Sequence, residues 1–257
     1  MRRLYVTLFG LLVVITWVAS ASAKDYRFQY KLKAGDVWVA KDISQVRTEV
    51  MGTKSSTRTK RTIVYKVKRG PKRGWVTVEA TIKSQASRTD NGPMNRGNSM
   101  AGMIFRVDMH KSGEIRNYKF SGGNSQTAQY IGPAMKVAMF GFPEFPADPL
   151  QVGDEFDAVL RMEMPGIKGT RGVQSITKFT YTLEDVSKGF AYFSVKQRTK
   201  IKASGMDIKD AGKGEAVFDI KEGMWIELET KSRSRVAAGI GSGGYTLRVS
   251  KMTMKKL

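Results

Sequence analysis

From residue 25 onward the chain alternates apolar and polar side chains. Tyr26, Phe28, Tyr30 and Leu32 are apolar, while Arg27, Gln29, Lys31 and Lys33 are polar. Such a period of two predicts a half-buried strand. Ile63, Tyr65 and Val67 alternate with Thr62, Lys66 and Lys68, and Val76, Val78, Ala80 and Ile82 with Thr77, Glu79, Thr81 and Lys83. The turn-rich stretch 69–74 lies between these two runs and predicts a hairpin. A second hairpin is predicted from Phe179, Tyr181 and Leu183, a turn at 185–189, and Ala191, Phe193 and Val195.

Other elements recur in the same order. Leu32-Lys33-Ala34-Gly35-Asp36 matches Leu150-Gln151-Val152-Gly153-Asp154. Phe105-Arg106-Val107-Asp108, closed by Gly113, matches Ala216-Val217-Phe218-Asp219, closed by Gly223. Landmarks in one order at a slowly drifting offset predict two tandem copies of ~115 residues. Between the copies, Ala128, Ile131, Met135 and Met139 fall at helical spacing, which predicts one helix over 124–140. Pro143, Pro146 and Pro149 then favour an extended connector of fixed length. The expected fold is mainly β, with antiparallel strands from both copies forming a curved half-barrel or a sandwich. The expected divisions are 24–123, 124–149 and 150–257.

The first 23 residues have a different character. Arg2 and Arg3 precede an apolar run over 4–18, and Ala21-Ser22-Ala23 supplies small residues for cleavage. This is the pattern of a secretory signal peptide, and the run is short for a spanning helix. No Cys follows it for lipid attachment. The expected location is periplasmic or secreted, with no transmembrane span after cleavage.

Composition narrows the chemistry. The 257 residues include no Cys and one His, which excludes disulfides, thiolate metal sites, thiol nucleophiles and multi-His metal centres. His110 sits in the charged turn Asp108-Met109-His110-Lys111-Ser112-Gly113 and reads as a turn residue, since nothing beside it would orient an imidazole for catalysis. Gly239-Ile240-Gly241-Ser242-Gly243-Gly244 has the letters of a dinucleotide fingerprint, but a strand-like run follows where a helix is needed. Asp36, Asp154, Asp108 and Asp219 read as turn caps. No enzyme and no cofactor are expected.

Net charge is +21, of which residues 24–123 carry +14 and 124–257 carry +5. The excess is densest around Lys60, Arg61, Lys66, Lys68, Arg69, Lys72 and Arg73, the candidate set for binding an anionic envelope surface. Nucleic acid is disfavoured because no basic-aromatic recognition motif occurs. Fourteen Met residues, several near the predicted helix, favour an adaptable apolar lining. Ile131, Met135 and Met139 are the candidate ligand contacts.

The order of signal, Lys33-Ala34-Gly35-Asp36, hairpins, helix, Val152-Gly153-Asp154 and Gly212-Lys213-Gly214 resembles a group of exported bacterial proteins with a two-copy β layout. In strand count and single covering helix the chain is more distantly similar to periplasmic lipoprotein-carrier half-barrels. That likeness implies a curved sheet and a lid around an apolar cavity. The expected function is therefore a non-enzymatic carrier of an apolar or amphipathic, lipid-like ligand, with a basic face for anionic surfaces. The alternative is a structural or interaction protein of the envelope that binds an anionic polymer or a partner protein and no small ligand.

Overall fold

The computed structural model describes residues 24–50, 52–90, 100–122, 142–164, 173–203, 206–236 and 244–257. These contain eleven strands: β1 (Val37–Val50), β2 (Thr53–Arg69), β3 (Trp75–Thr89), β4 (Ile104–His110), β5 (Ile115–Ser121), β6 (Glu155–Met164), β7 (Val173–Ser187), β8 (Phe190–Ala203), β9 (Met206–Asp219), β10 (Met224–Val236) and β11 (Gly244–Lys256). All belong to one antiparallel sheet in the order β5-β4-β3-β2-β1-β11-β10-β9-β8-β7-β6. Two meanders are joined where β1 pairs with β11, from Trp38 opposite Lys256 to Glu49 opposite Tyr245. The free edges are β5 and β6, so the sheet is open.

The sandwich alternative is thereby corrected, since the strands form one continuous sheet rather than two. No helix occurs among the described residues, and the predicted helix over 124–140, with Ile131, Met135 and Met139, lies outside them, as do the signal residues. The helix between two copies is not supported.

Both predicted hairpins form. Val67 faces Val78 and Tyr65 faces Ala80 in the first; Tyr181 faces Val195 and Leu183 faces Phe193 in the second. Their apolar residues point to one face, where Trp38, Tyr65, Ile63, Ile82, Phe105, Leu183, Phe193 and Phe218 are almost wholly buried.

The predicted strand over 25–33 is corrected. Its apolar residues do face inward, but apart from one bridge between Tyr26 and Leu150 it pairs with no strand. Together with 142–150 it lies across one end of the curled sheet. Tyr30 N–H donates to Lys111 O (2.8 Å), Phe145 N–H to Ser112 O (2.8 Å) and Lys31 N–H to Gly223 O (3.3 Å). The plug is thus tied to the turn after β4 and the turn after β9. Phe28, Tyr30, Phe142 and Phe145 fill the space, with Phe145 5.0 Å from Phe218 and stacked 5.7 Å from Trp225 between ring centres. Edge and stacked contacts of this kind add to area burial. The Tyr30 hydroxyl accepts from Trp225 Nε1–H (2.8 Å) and donates to the Pro143 carbonyl (2.9 Å).

The turns that open β1 and β6 share their bonding. Asp36 Oδ2 accepts from Lys33 N–H (2.9 Å) and Asp154 Oδ2 from Gln151 N–H (2.7 Å). Gly35 N–H reaches Val67 O, and Gly153 N–H reaches Leu183 O. Gly35 and Gly153 have φ of 99° and 97°, a left-handed conformation that glycine adopts without penalty.

Candidate functional site: a graded cavity in the open half

Beyond the plug the curled sheet encloses a cavity of about 610 Å³, lined from β1 and β2 at one side through β11, β10, β9, β8 and β7 to β6 at the other. Its floor is apolar, with Ile63, Phe142, Tyr181, Trp225, Leu228 and Met252. Toward the open end the inward positions change character. On β1 the inward row runs Trp38, Ala40, Asp42, Ser44, Val46 and on β10 Trp225, Leu228, Thr230, Ser232, Ser234, while Leu160 and Met162 on β6 and Ile201 on β8 keep apolar side chains in the lining. Nine Ser and Thr side chains of the described residues line the cavity, among them Thr177, Thr199, Thr246 and Ser250.

One pair of these hydroxyls meets across strands, and a neighbour on β8 adds a second bond to it. Thr177 and Thr199 lie 3.0 Å apart, and Gln197 Nε2–H donates to Thr199 Oγ1 (3.2 Å). Among the described residues four charged side chains share the lining: Asp42, Arg61, Asp210 and Arg248. Arg61 Nε–H donates to Asp42 Oδ2 (2.8 Å), and its Nη2 reaches the same oxygen. Both partners are largely buried. Asp210 Oδ1 is shielded from solvent and has no hydrogen-bond partner. Burial pushes the Tyr181 and Tyr65 hydroxyls well above their ordinary range, with the nearby Asp42 charge adding to the rise at Tyr65 and Arg61 opposing it.

Sequence reasoning placed Arg61 on the basic outer face. The structure separates it from that face, because odd-numbered residues of β2 point inward. Lys60, Lys66 and Lys68 do share the outer face. Lys68 is paired with Glu79 (2.8 Å), which also holds Arg106 (2.7 Å). No ion pair to Lys60 or Lys66 occurs among the described residues. Arg69 and Arg73 are exposed at the end of β2 and in the turn, and the Lys72 ammonium lies 5.2 Å from the centre of the Trp75 ring. Asp42, Asp210, Arg248 and the inward hydroxyls went unrecognised as a site.

His110 is the last residue of β4, half-buried opposite Trp75, rather than a turn residue: Nδ1 lies 3.0 Å from Ser112 Oγ and the ring lies against Trp75. Asp108 turns away to Thr77 and Asn117. The glycine-rich stretch before β11 lies largely outside the described residues. Among the described residues no group of three or more His, Cys, Asp or Glu could hold a metal ion, and no helix is long and apolar enough to cross a membrane.

No family model matches the chain, and no curated protein matches it. Solved structures do. An outer-membrane channel from Pseudomonas putida F1 is 8% identical, covering 88% of this chain and 97% of that one at a TM-score of 0.38. The translocator domain of the autotransporter NalP from Neisseria meningitidis is 11% identical, covering 87% and 90% at 0.36. The β domain of the Bordetella autotransporter BrkA is 8% identical, covering 86% and 99% at 0.36. These are outer-membrane β-barrel proteins and not periplasmic lipoprotein carriers. They overturn the expectation of a periplasmic or secreted location, which is carried no further.

Proposed function

We propose that the protein is a non-enzymatic binding protein that holds one amphipathic ligand in the open half of its curled sheet. The observation that carries this reading is the amphipathic lining of one cavity, aromatic at the floor, with hydroxyls and charges joining apolar side chains toward the mouth. About 610 Å³ lies within the range of small-molecule sites. An apolar tail on the floor would exclude water from Trp225 and Tyr181. A polar head would meet hydroxyls able both to donate and to accept.

The outer face is charged on both sides of the sheet. Lys54, Arg58, Lys60, Lys66 and Lys68 point outward on β2, and Glu155, Asp157, Arg161 and Glu163 on β6. The uncompensated charge of Lys60 and Lys66 supports docking of this face on an anionic surface. We also read the two meanders as tandem copies, and the like-bonded turns before β1 and β6 support this.

The test is native mass spectrometry of protein purified without detergent. A mass excess lost on organic extraction is the expected result and identifies the ligand class. A clean mass, with no uptake of added amphiphile, would overturn the binding reading and favour the interaction protein acting through Lys60 and Lys66.

A further inference from the structure

We propose that the head group recognised in this cavity is zwitterionic, with its anionic group on Arg248 and a protonated amine on Asp210. This rests on the binding role proposed above and adds the chemistry of the head. Of the four charges in the lining among the described residues, Asp42 and Arg61 neutralise each other. Asp210 and Arg248 remain, one of each sign. No ion pair to either occurs among the described residues.

Asp210 carries the sharper requirement. Its Oδ1 is buried without a hydrogen-bond donor, an arrangement that costs free energy until a donor arrives. An ammonium supplies both the donor and the compensating charge. A divalent cation does not fit as well, because no cluster of three acidic or His ligands surrounds the site among the described residues.

The register fixes the span. Asp210 faces Ser234 on β10, which faces Thr246 on β11, and Arg248 lies two residues along β11, opposite Ser232. Two strand spacings and two residues of rise separate the two Cα atoms by about 12 Å on a flat sheet. Both side chains point into the cavity, and Arg248 is long, so the gap between their charges suits a head whose charges are a few bonds apart. A purely anionic head could offer Asp210 a hydroxyl but no compensating charge, and a purely cationic one would leave Arg248 unmet. The cavity has room for a single chain below such a head.

Calorimetry with three lysophospholipids of one chain length, below their micellar concentrations, tests this. Lysophosphatidylethanolamine is expected to bind about tenfold tighter than lysophosphatidylglycerol, the equivalent of one charge-assisted hydrogen bond. It should exceed lysophosphatidylcholine by a similar factor, because a quaternary ammonium has no N–H to offer Asp210. Asp210→Asn should bring the ethanolamine lipid to the level of the glycerol lipid, and Arg248→Gln should weaken both. Equal binding of the ethanolamine and choline lipids by the unaltered protein would overturn the assignment, and so would an Asp210→Asn variant that keeps the preference. Chainless phosphoethanolamine binding as tightly as its lipid would support the head assignment while removing the role of the apolar floor. No binding of any probe would overturn both readings.

Discussion

Replacing Tyr30 by Phe removes one oxygen and tests whether the plug is held as described. The hydroxyl is the acceptor for Trp225 Nε1–H and the donor to the Pro143 carbonyl. Burial holds it well above its ordinary pKa, opposed in part by the bond from Trp225, so it stays protonated. Tyr30 is 5% exposed and Trp225 3%, with Phe142 and Phe145 packed around them, so water does not replace the lost partner. A buried group left unpaired costs about 1–3 kcal/mol, and two are left here, giving an expected loss of about 3 kcal/mol. For a chain of this size that lowers Tm by about 6–12 °C. Urea unfolding followed by tryptophan fluorescence should show a lower midpoint with the slope unchanged, the mark of lost stability without a change in surface exposed. Tyr181→Phe is the control. It makes the same change in a ring 5.6 Å from Trp225, at a hydroxyl with no hydrogen bond among the described residues, and should cost less than about 1 kcal/mol. Equal midpoints for the two variants would refute the reasoning. Because Trp225 and Pro143 also line the cavity, Tyr30→Phe should weaken amphiphile binding too.

Gly214 points inward on β9, and a Cβ there would lie 1.9 Å from Glu229 O on β10. Backbone cannot yield as a side-chain tip can, so Gly214→Ala should cost at least about 3 kcal/mol and reduce soluble yield; a thermal melt by circular dichroism matching the parent would show that the close approach is unimportant. The bonds from Lys68 and then Arg106 hold the Glu79 carboxyl below its ordinary 4.5. A depressed folded-state pKa contributes stability that is present above 4.5 and lost as pH falls through the lower folded value. Glu79→Gln should therefore flatten the fall in urea midpoint below pH 4.5, and an unchanged acid limb would exclude a contribution from this cluster.

How much of this could be read from the residues depended on what faced inward. Where the inner row is apolar, as at Ile63, Tyr65 and Val67, alternation located the strand and its partner. The same strand runs on to Thr53, but from Arg61 downward its inner row is Arg61, Thr59, Thr57 and Ser55. With polar residues on both faces the period disappears, and a strand looks like a charged loop. β8 beyond Val195 and β9 before Ala216 vanish for the same reason. Arg61 could have been recovered from parity alone, since it is odd-numbered like Ile63 and Tyr65 while Lys60 and Lys66 are even. The opposite error occurred at 26–32. There the alternation is clean and the burial is as expected, yet the segment crosses the end of the sheet. A two-faced extended segment gives the same pattern whether or not a strand lies beside it.

The polarity that hid the open half is also what allows it to stay open. An apolar tube of this width would gain by collapsing, because every inward side chain would lose contact with water on closing. Ser and Thr remove that incentive. Thr177 and Thr199 bond to each other across strands, and the other inward hydroxyls can hold water. The Asp42–Arg61 pair likewise needs no visitor. The aromatic plug can then supply the packing that holds the sheet curled, while the hydroxyl rows hold a space at little cost. Within that space Asp210 is the carboxylate whose buried oxygen goes without a donor, and occupancy by a donor is the event that would relieve it.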